Sequence, residues 1–231
     1  MSVRAMAATE LVTIDPHAID VALLAQAAAC LREGGIAAFP TETVYGVGVR
    51  ADDPAALARL AAVKGRQPDK PFAILVADIA GARALVGALP ATAERLMRHF
   101  WPGPLTVVVS IPPPAKPAFG RERDRRSGPL RGPLAGGRTI GLRCPDHPIA
   151  RAFMRAAGVP IAASSANRSG AADARTAAEV VAALSGVVDF IVDGGPCREG
   201  RPSTVVEVTD DRVQILREGA IAKTAIVALV G

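Results

Sequence analysis

Apolar positions recur along the chain with two alternating periods. From Asp20 to Gly34, Val21, Leu24, Ala28 and Leu31 follow one another at three- and four-residue steps, which predicts a helix that turns one stripe to a core and stops at the glycine. The unbroken run IAAFP reads as a short buried strand. Asp53 ahead of Pro54 is a helix-start signal, with Leu57, Leu60 and Val63 on one face and Lys64 in the last turn. FAILVAD is strand-like, IAGARALVGAL and ATAERLMRHF are helical pieces divided at Pro90, and LTVVVSI is β-branched. TIGLRC, HPIARAFMRAAG and PIAAS predict strand, helix and strand. Thr176 with Glu179 has capping-box spacing before AAEVVAALSG, and VDFIVDGG follows as a strand. TVVEV and RVQILR flank TDD as a hairpin, and KTAIVALV predicts a last helix. No internal repeat is evident. Strands alternating with helices predict an α/β fold, in the mixed α+β sense, around a twisted sheet.

Length and composition bound this picture. With 231 residues, a single domain spanning 1–231 is expected, with one long insertion. Half the residues are hydrophobic yet only 3% are aromatic, so the interior has to be built from small side chains. No apolar run approaches the ~18 residues of a membrane span, and MSVRAMAATE lacks a signal-peptide core, so a cytoplasmic location is expected. Cys30, Cys144 and Cys197 are widely spaced and without paired histidines, which speaks against a zinc site. The formal net charge of +5 favours anionic partners. Much of the excess lies in an arginine-rich insertion at about 115–138, rich in Pro and Gly and without helix or strand period. It reads as a loop, expected to close over a nucleotide as a lid, with a plain solvated insertion as the alternative. A weak RNA-binding arm is the less favoured reading.

The polar clusters stand where elements end. PTETVYG places Thr41, Thr43 and Tyr45 after a buried strand, the usual ligand position of an open sheet. The GVG that follows lacks a dinucleotide fingerprint. Lys64 and Arg66, with Lys70 nearby, fit either cations complementing a helix C-terminus or a clamp for phosphate or carboxylate oxygens. SSANRSG offers hydroxyls and an amide at a strand end. His17, His99 and His147 lie in separate elements, and none forms a nucleophile-elbow pattern with those serines. Hydroxyls and cations without a metal cluster or nucleophile point to a polyanionic small ligand.

FPTETVYGVG, KGR followed by KPF, WPGPLT, RCPDHP, SSANRSG, PSTVVEV and ILREGAI stand in the order seen in the YrdC family of threonylcarbamoyl-AMP synthases, which the chain resembles from about Ile14 to Ile221. The resemblance implies a YrdC-like twisted open sheet flanked by helices, with a large concave cavity. It implies formation of threonylcarbamoyl-AMP and pyrophosphate from L-threonine, bicarbonate or CO2, and ATP with Mg²⁺. The product would pass to a separate tRNA threonylcarbamoyl transferase. Carried over by motif, Thr43, Arg143, Ala163 and Ser203 are expected to contact threonine. Arg66, Lys70, Thr139, Ser165 and Arg217 are expected to contact ATP, and Lys64, Arg66 and Asn167 to determine activity. Gln67, Lys70, Leu75, Pro202 and Glu207 depart from the common family residues at their positions. Two other functions are compatible with the motifs and charge: a YrdC-like carbamoyl-transfer relative of the hydrogenase-maturation type, and a double-stranded RNA-binding module.

Overall fold

The computed structural model describes residues 8–65, 72–111 and 139–231. Arg66, Gln67, Lys70 and the arginine-rich insertion therefore lie outside the described residues. The described chain runs β1 (Glu10–Thr13), α1 (Val21–Arg32), β2 (Ala37–Phe39), β3 (Gly46–Arg50), α2 (Pro54–Lys64), β4 (Ala73–Leu75), α3 (Ile79–Val86), α4 (Ala91–Phe100) and β5 (Leu105–Ser110). It continues with β6 (Thr139–Arg143), α5 (Pro148–Ala157), β7 (Ile161–Ser165), α6 (Ala177–Leu184), β8 (Phe190–Asp193), β9 (Thr204–Thr209), β10 (Arg212–Arg217) and α7 (Lys223–Val230).

Local chemistry sets the helix ends. The Asp20 carboxylate accepts from the amides of Ala22 and Leu23 at the start of α1. Asp53 does the same for Ala55 and Ala56, Pro54 opens α2, and Gly65 closes it in the left-handed region at φ 59°. Thr176 and Glu179 form the expected reciprocal capping box of α6. In α1 the buried stripe is Leu24, Ala27, Ala28 and Leu31, and each buried leucine contributes about 1.5–3 kcal/mol. Val21, expected on that stripe, is 73% exposed and lies outside it.

Among the described residues the strands form one ten-stranded mixed sheet in the order β1-β8-β2-β3-β7-β4-β6-β5-β9-β10. Alternation along each strand divides the core in two. Ala38, Val47, Ile74, Val107, Leu142, Ala162 and Val206 point to one face, where α2, α3, α4, α6 and α7 bury Leu60, Ala82, Leu96, Val180 and Ile226. Ala37, Phe39, Ile161, Phe190 and Val192 point to the other face, covered by Leu24 and Leu31 of α1 and Phe153 and Met154 of α5. The ring of Phe153 lies 5.1 Å from that of Phe39. These two helices cover the β1 to β3 side of the second face. On the side formed by β4, β6, β5 and β9 no helix packs there among the described residues, and the sheet remains open.

Candidate active site

That open part of the second face is the floor of a cavity of about 240 Å³. Register brings the lining residues together. Gly46 lies opposite Ser165, Ala163 opposite Ala73, Ala73 opposite Gly141, Leu75 opposite Arg143, and Thr106 opposite both Arg143 and Val205. Glycine, alanine and small hydroxyl residues at these register positions leave room above the sheet, while Phe39, Phe72, Leu75 and Val108 supply apolar lining. The described lining includes Arg143 and Arg217 and no carboxylate. Burial holds the Arg217 guanidinium below its usual range; the Asp173 carboxylate opposes this, and the nearby Arg143 charge adds to it. The two guanidinium groups, Arg143 partly offset by its ion pair with Glu42, give the hollow donors suited to an anion.

The connection from β2 to β3 shapes one wall. Thr41 Oγ1 donates to Val44 O at 2.6 Å, and its one proton is thereby committed. In the 2.9 Å contact between Thr41 and Thr43 the donor is consequently Thr43. Arg143 Nη2 donates to Thr43 Oγ1 at 2.7 Å and to Glu42 Oε1 at 2.8 Å. With its proton given to Thr41 and a lone pair taken by Arg143, the fully buried Thr43 hydroxyl fixes the guanidinium from behind. Tyr45, fully buried, accepts from Gly194 N and reaches Gly195 O at 2.8 Å, and burial raises its hydroxyl's pKa. Its hydroxyl ties the wall to the end of β8.

The opposite wall is closed by the end of β10. Arg217 Nη2 donates to Ser203 O at 2.9 Å, and Ser203 Oγ shares a 2.9 Å hydrogen bond with Thr106 Oγ1. Gly219 makes this approach possible: a Cβ there would lie 2.2 Å from Pro202 O and 2.5 Å from Ser203 C. Ser165 completes the rim. Its hydroxyl donates to Asn167 Oδ1 at 2.7 Å, so it presents an acceptor to the cavity.

Of the expected site residues, Arg143, Ala163, Ser165, Ser203 and Arg217 line the cavity. Thr43 stands behind Arg143. Thr139 lies on the same face of β6, two residues beyond Gly141 and paired with Ser110. Lys64 and Asn167 do not line the cavity. Lys64 is 4% exposed, and its ammonium donates to Ser165 O at 2.6 Å, Asn167 O at 2.5 Å and Asn167 Oδ1 at 2.7 Å. Neither a solvated helix-end cation nor an open clamp describes it; it braces the SSANRSG turn from below. Asn167 Nδ2 donates onward to Ala171 O at 2.6 Å. Two contributors were not singled out as site residues from sequence, Glu42 and Thr106. Both lie inside motifs, PTETVYG and WPGPLT, but only the fold brings them to Arg143 and Ser203.

Other reactive groups are held quiet. Burial pushes the Cys144 and Cys197 thiols up to about 11 and the His147 imidazole down to about 4. Among the described residues no helix is long and apolar enough to cross a membrane.

Over 96% of its length the chain is 43% identical to the threonylcarbamoyl-AMP synthase of Bacillus subtilis strain 168, and it spans 59% of that protein. The crystal structure of Pyrococcus abyssi Sua5 complexed with L-threonine superposes with a TM-score of 0.83 at 34% identity, covering 96% of this chain and 61% of that one. Escherichia coli YciO superposes with a TM-score of 0.75 at 27% identity, covering 91% of this chain and 96% of that one. The model of the Sua5, YciO and YrdC family, described as telomere recombination, matches residues 29–219, and by this match and these identities the chain belongs to that family.

Proposed function

We propose that the chain is an L-threonylcarbamoyladenylate synthase, a nucleotidyltransferase that joins L-threonine, bicarbonate or CO2, and ATP into threonylcarbamoyl-AMP with release of pyrophosphate. The observation that carries this reading is the cavity itself, lined among the described residues by two arginines and several hydroxyl groups and by no carboxylate. The activity named for the Bacillus subtilis relative and the threonine named for the Pyrococcus abyssi structure support it.

The residues divide the work by their hydrogen bonds. Arg143 has committed Nη2 to the protein and keeps Nη1 for the carboxylate of the amino acid. Thr43 supports Arg143 from behind, and Ser203 with Thr106 stands at the neighbouring hydroxyl position. The neutral threonine amine adds to CO2 and releases one proton to solvent, or displaces water from bicarbonate, to form a carbamate. A carbamate oxygen then attacks the α-phosphorus, and the bond to the pyrophosphate oxygen breaks. Arg217, joined in our reading by Arg66 and Lys70, offsets charge as it builds on the phosphates, while Ser165 and Thr139 hold the nucleotide. Mg²⁺ would accompany the triphosphate and offset its charge. The product is an activated acyl donor, suited to a cytoplasmic transferase that modifies tRNA.

The test is pyrophosphate release from ATP, which is expected to require L-threonine and bicarbonate together. Equal ATP turnover with threonine left out overturns the reading.

A further inference from the structure

We infer that Glu42 is a positioning residue for the amino-acid carboxylate, acting through the Arg143 guanidinium; this rests on the synthase reading above. Glu42 lies between the two threonines of the β2 to β3 connection, its side chain 0% exposed, and forms a 2.8 Å ion pair with Arg143, itself 11% exposed. The Glu42 carbonyl accepts from Glu199 N at 2.7 Å, so the acid is held from its backbone as well.

Bond accounting gives the role. Both Nη2 hydrogens of Arg143 are consumed, one by Glu42 Oε1 and one by Thr43 Oγ1. The two acceptors sit on adjacent residues, and Thr43 is fixed in turn by Thr41 and Val44. One nitrogen pinned at two points fixes the plane of the whole guanidinium. Glu42 Oε2 and Arg143 Nε remain buried without partners among the described residues. The pair is therefore made through a single oxygen and Nη2 alone, and Nη1 is the end available to a ligand. Without the acid, the Arg143 side chain has one anchor in place of two, and a planar carboxylate needs its donors already in position.

Charge and orientation predict opposite outcomes when Glu42 is neutralised. Removing a negative charge strengthens attraction for any anion, whereas losing the fixed plane weakens a carboxylate that needs a set geometry. The buried, doubly pinned arrangement favours orientation as the larger effect. Glu42→Gln keeps an acceptor oxygen but turns the charge-assisted bond into a neutral one about half as strong, so the guanidinium is held more loosely. The L-threonine Kd, measured by calorimetry without ATP, is expected to rise on the order of three- to tenfold, with the KM for ATP changed less than about twofold. In an Arg143→Lys background the same change is expected to add little, because the residue it acts through is gone. Unchanged or tighter threonine binding by E42Q overturns the assignment. Parallel weakening of threonine and ATP with a lowered Tm also overturns it, because Glu42 is then only a structural residue. If E42Q does not fold, Glu42→Asp, which draws the charge back by one methylene, has to weaken threonine, and unaltered affinity refutes the role. Absence of threonine binding by the unaltered chain overturns the synthase reading and this assignment together. Normal binding by that chain with an unaffected E42Q removes only the assignment.

Discussion

Lys64 shows what a single buried cation can do at a strand end. Its ammonium has three hydrogens, and Ser165 O, Asn167 O and Asn167 Oδ1 all receive bonds from it. The same Asn167 Oδ1 accepts from the Ser165 hydroxyl, which lines the cavity. Loss of Lys64 therefore removes a charged donor from three inward-facing oxygens, leaving Asn167 O without its donor and Ser165 O and Asn167 Oδ1 with one each, and loosens the turn that presents Ser165. Lys64→Ala is expected to destabilise the chain by about 2–4 kcal/mol in urea unfolding and to lower activity as well. If its unfolding midpoint matches that of the unaltered chain, the brace is refuted and the lysine acts on ligand alone. A helix-end lysine is read from sequence as solvated, because most are. Its burial here depends on Asn167, 103 residues away, which no local pattern predicts.

At the scale of elements, strong periods were legible and weak ones were not. The helices capped by Asp53 and Thr176 and the hairpin around Thr209 to Asp211 carry their own signals. In the hairpin, Asp210 and Asp211 both take positive φ, as its tight turn requires. β3 escaped detection because Gly46 and Gly48 weaken strand propensity, and its identity comes from pairing with β2 and β7. β1, four residues long, is a strand only because it pairs in parallel with β8. The ILREGAI motif illustrates why a segment can be recognised without its purpose being readable. Gly219 is demanded by contact with Pro202 and Ser203, not by a turn, and a side chain there meets backbone that cannot swing aside. Gly219→Ala is expected to push the end of β10 off Ser203, lowering stability by about 1–3 kcal/mol and raising the KM for threonine through Ser203 and Arg217 together. Unchanged kinetics in that variant, whatever its stability, would show that the closure does not shape the site.

For the molecule as a whole, the cavity exists because two helices cover part of a sheet face that has ten strands beneath it. Gly48 and Gly141 lie on that same face, one under the packed part and one under the open part, and so separate fold from function. A Cβ at Gly48 would lie 2.8 Å from Ile161 Cγ2 and 2.9 Å from Ala162 O, inside a filled core. At Gly141 the nearest atom is Thr106 Cγ2 at 3.4 Å, an ordinary contact, and the space beyond is the cavity. Valine suits a strand in either position, so local propensity does not distinguish the two sites. Gly48→Val is expected to lose about 1–3 kcal/mol or more through overpacking. Gly141→Val is expected to keep stability within about 1 kcal/mol while occupying ligand volume, with threonine-dependent pyrophosphate release falling at least roughly tenfold. Urea unfolding and the pyrophosphate assay on both variants decide the matter. Full activity in a stably folded Gly141→Val would mean that substrates do not reach the floor between β4, β6 and β5, and the site would have to be moved toward Ser165.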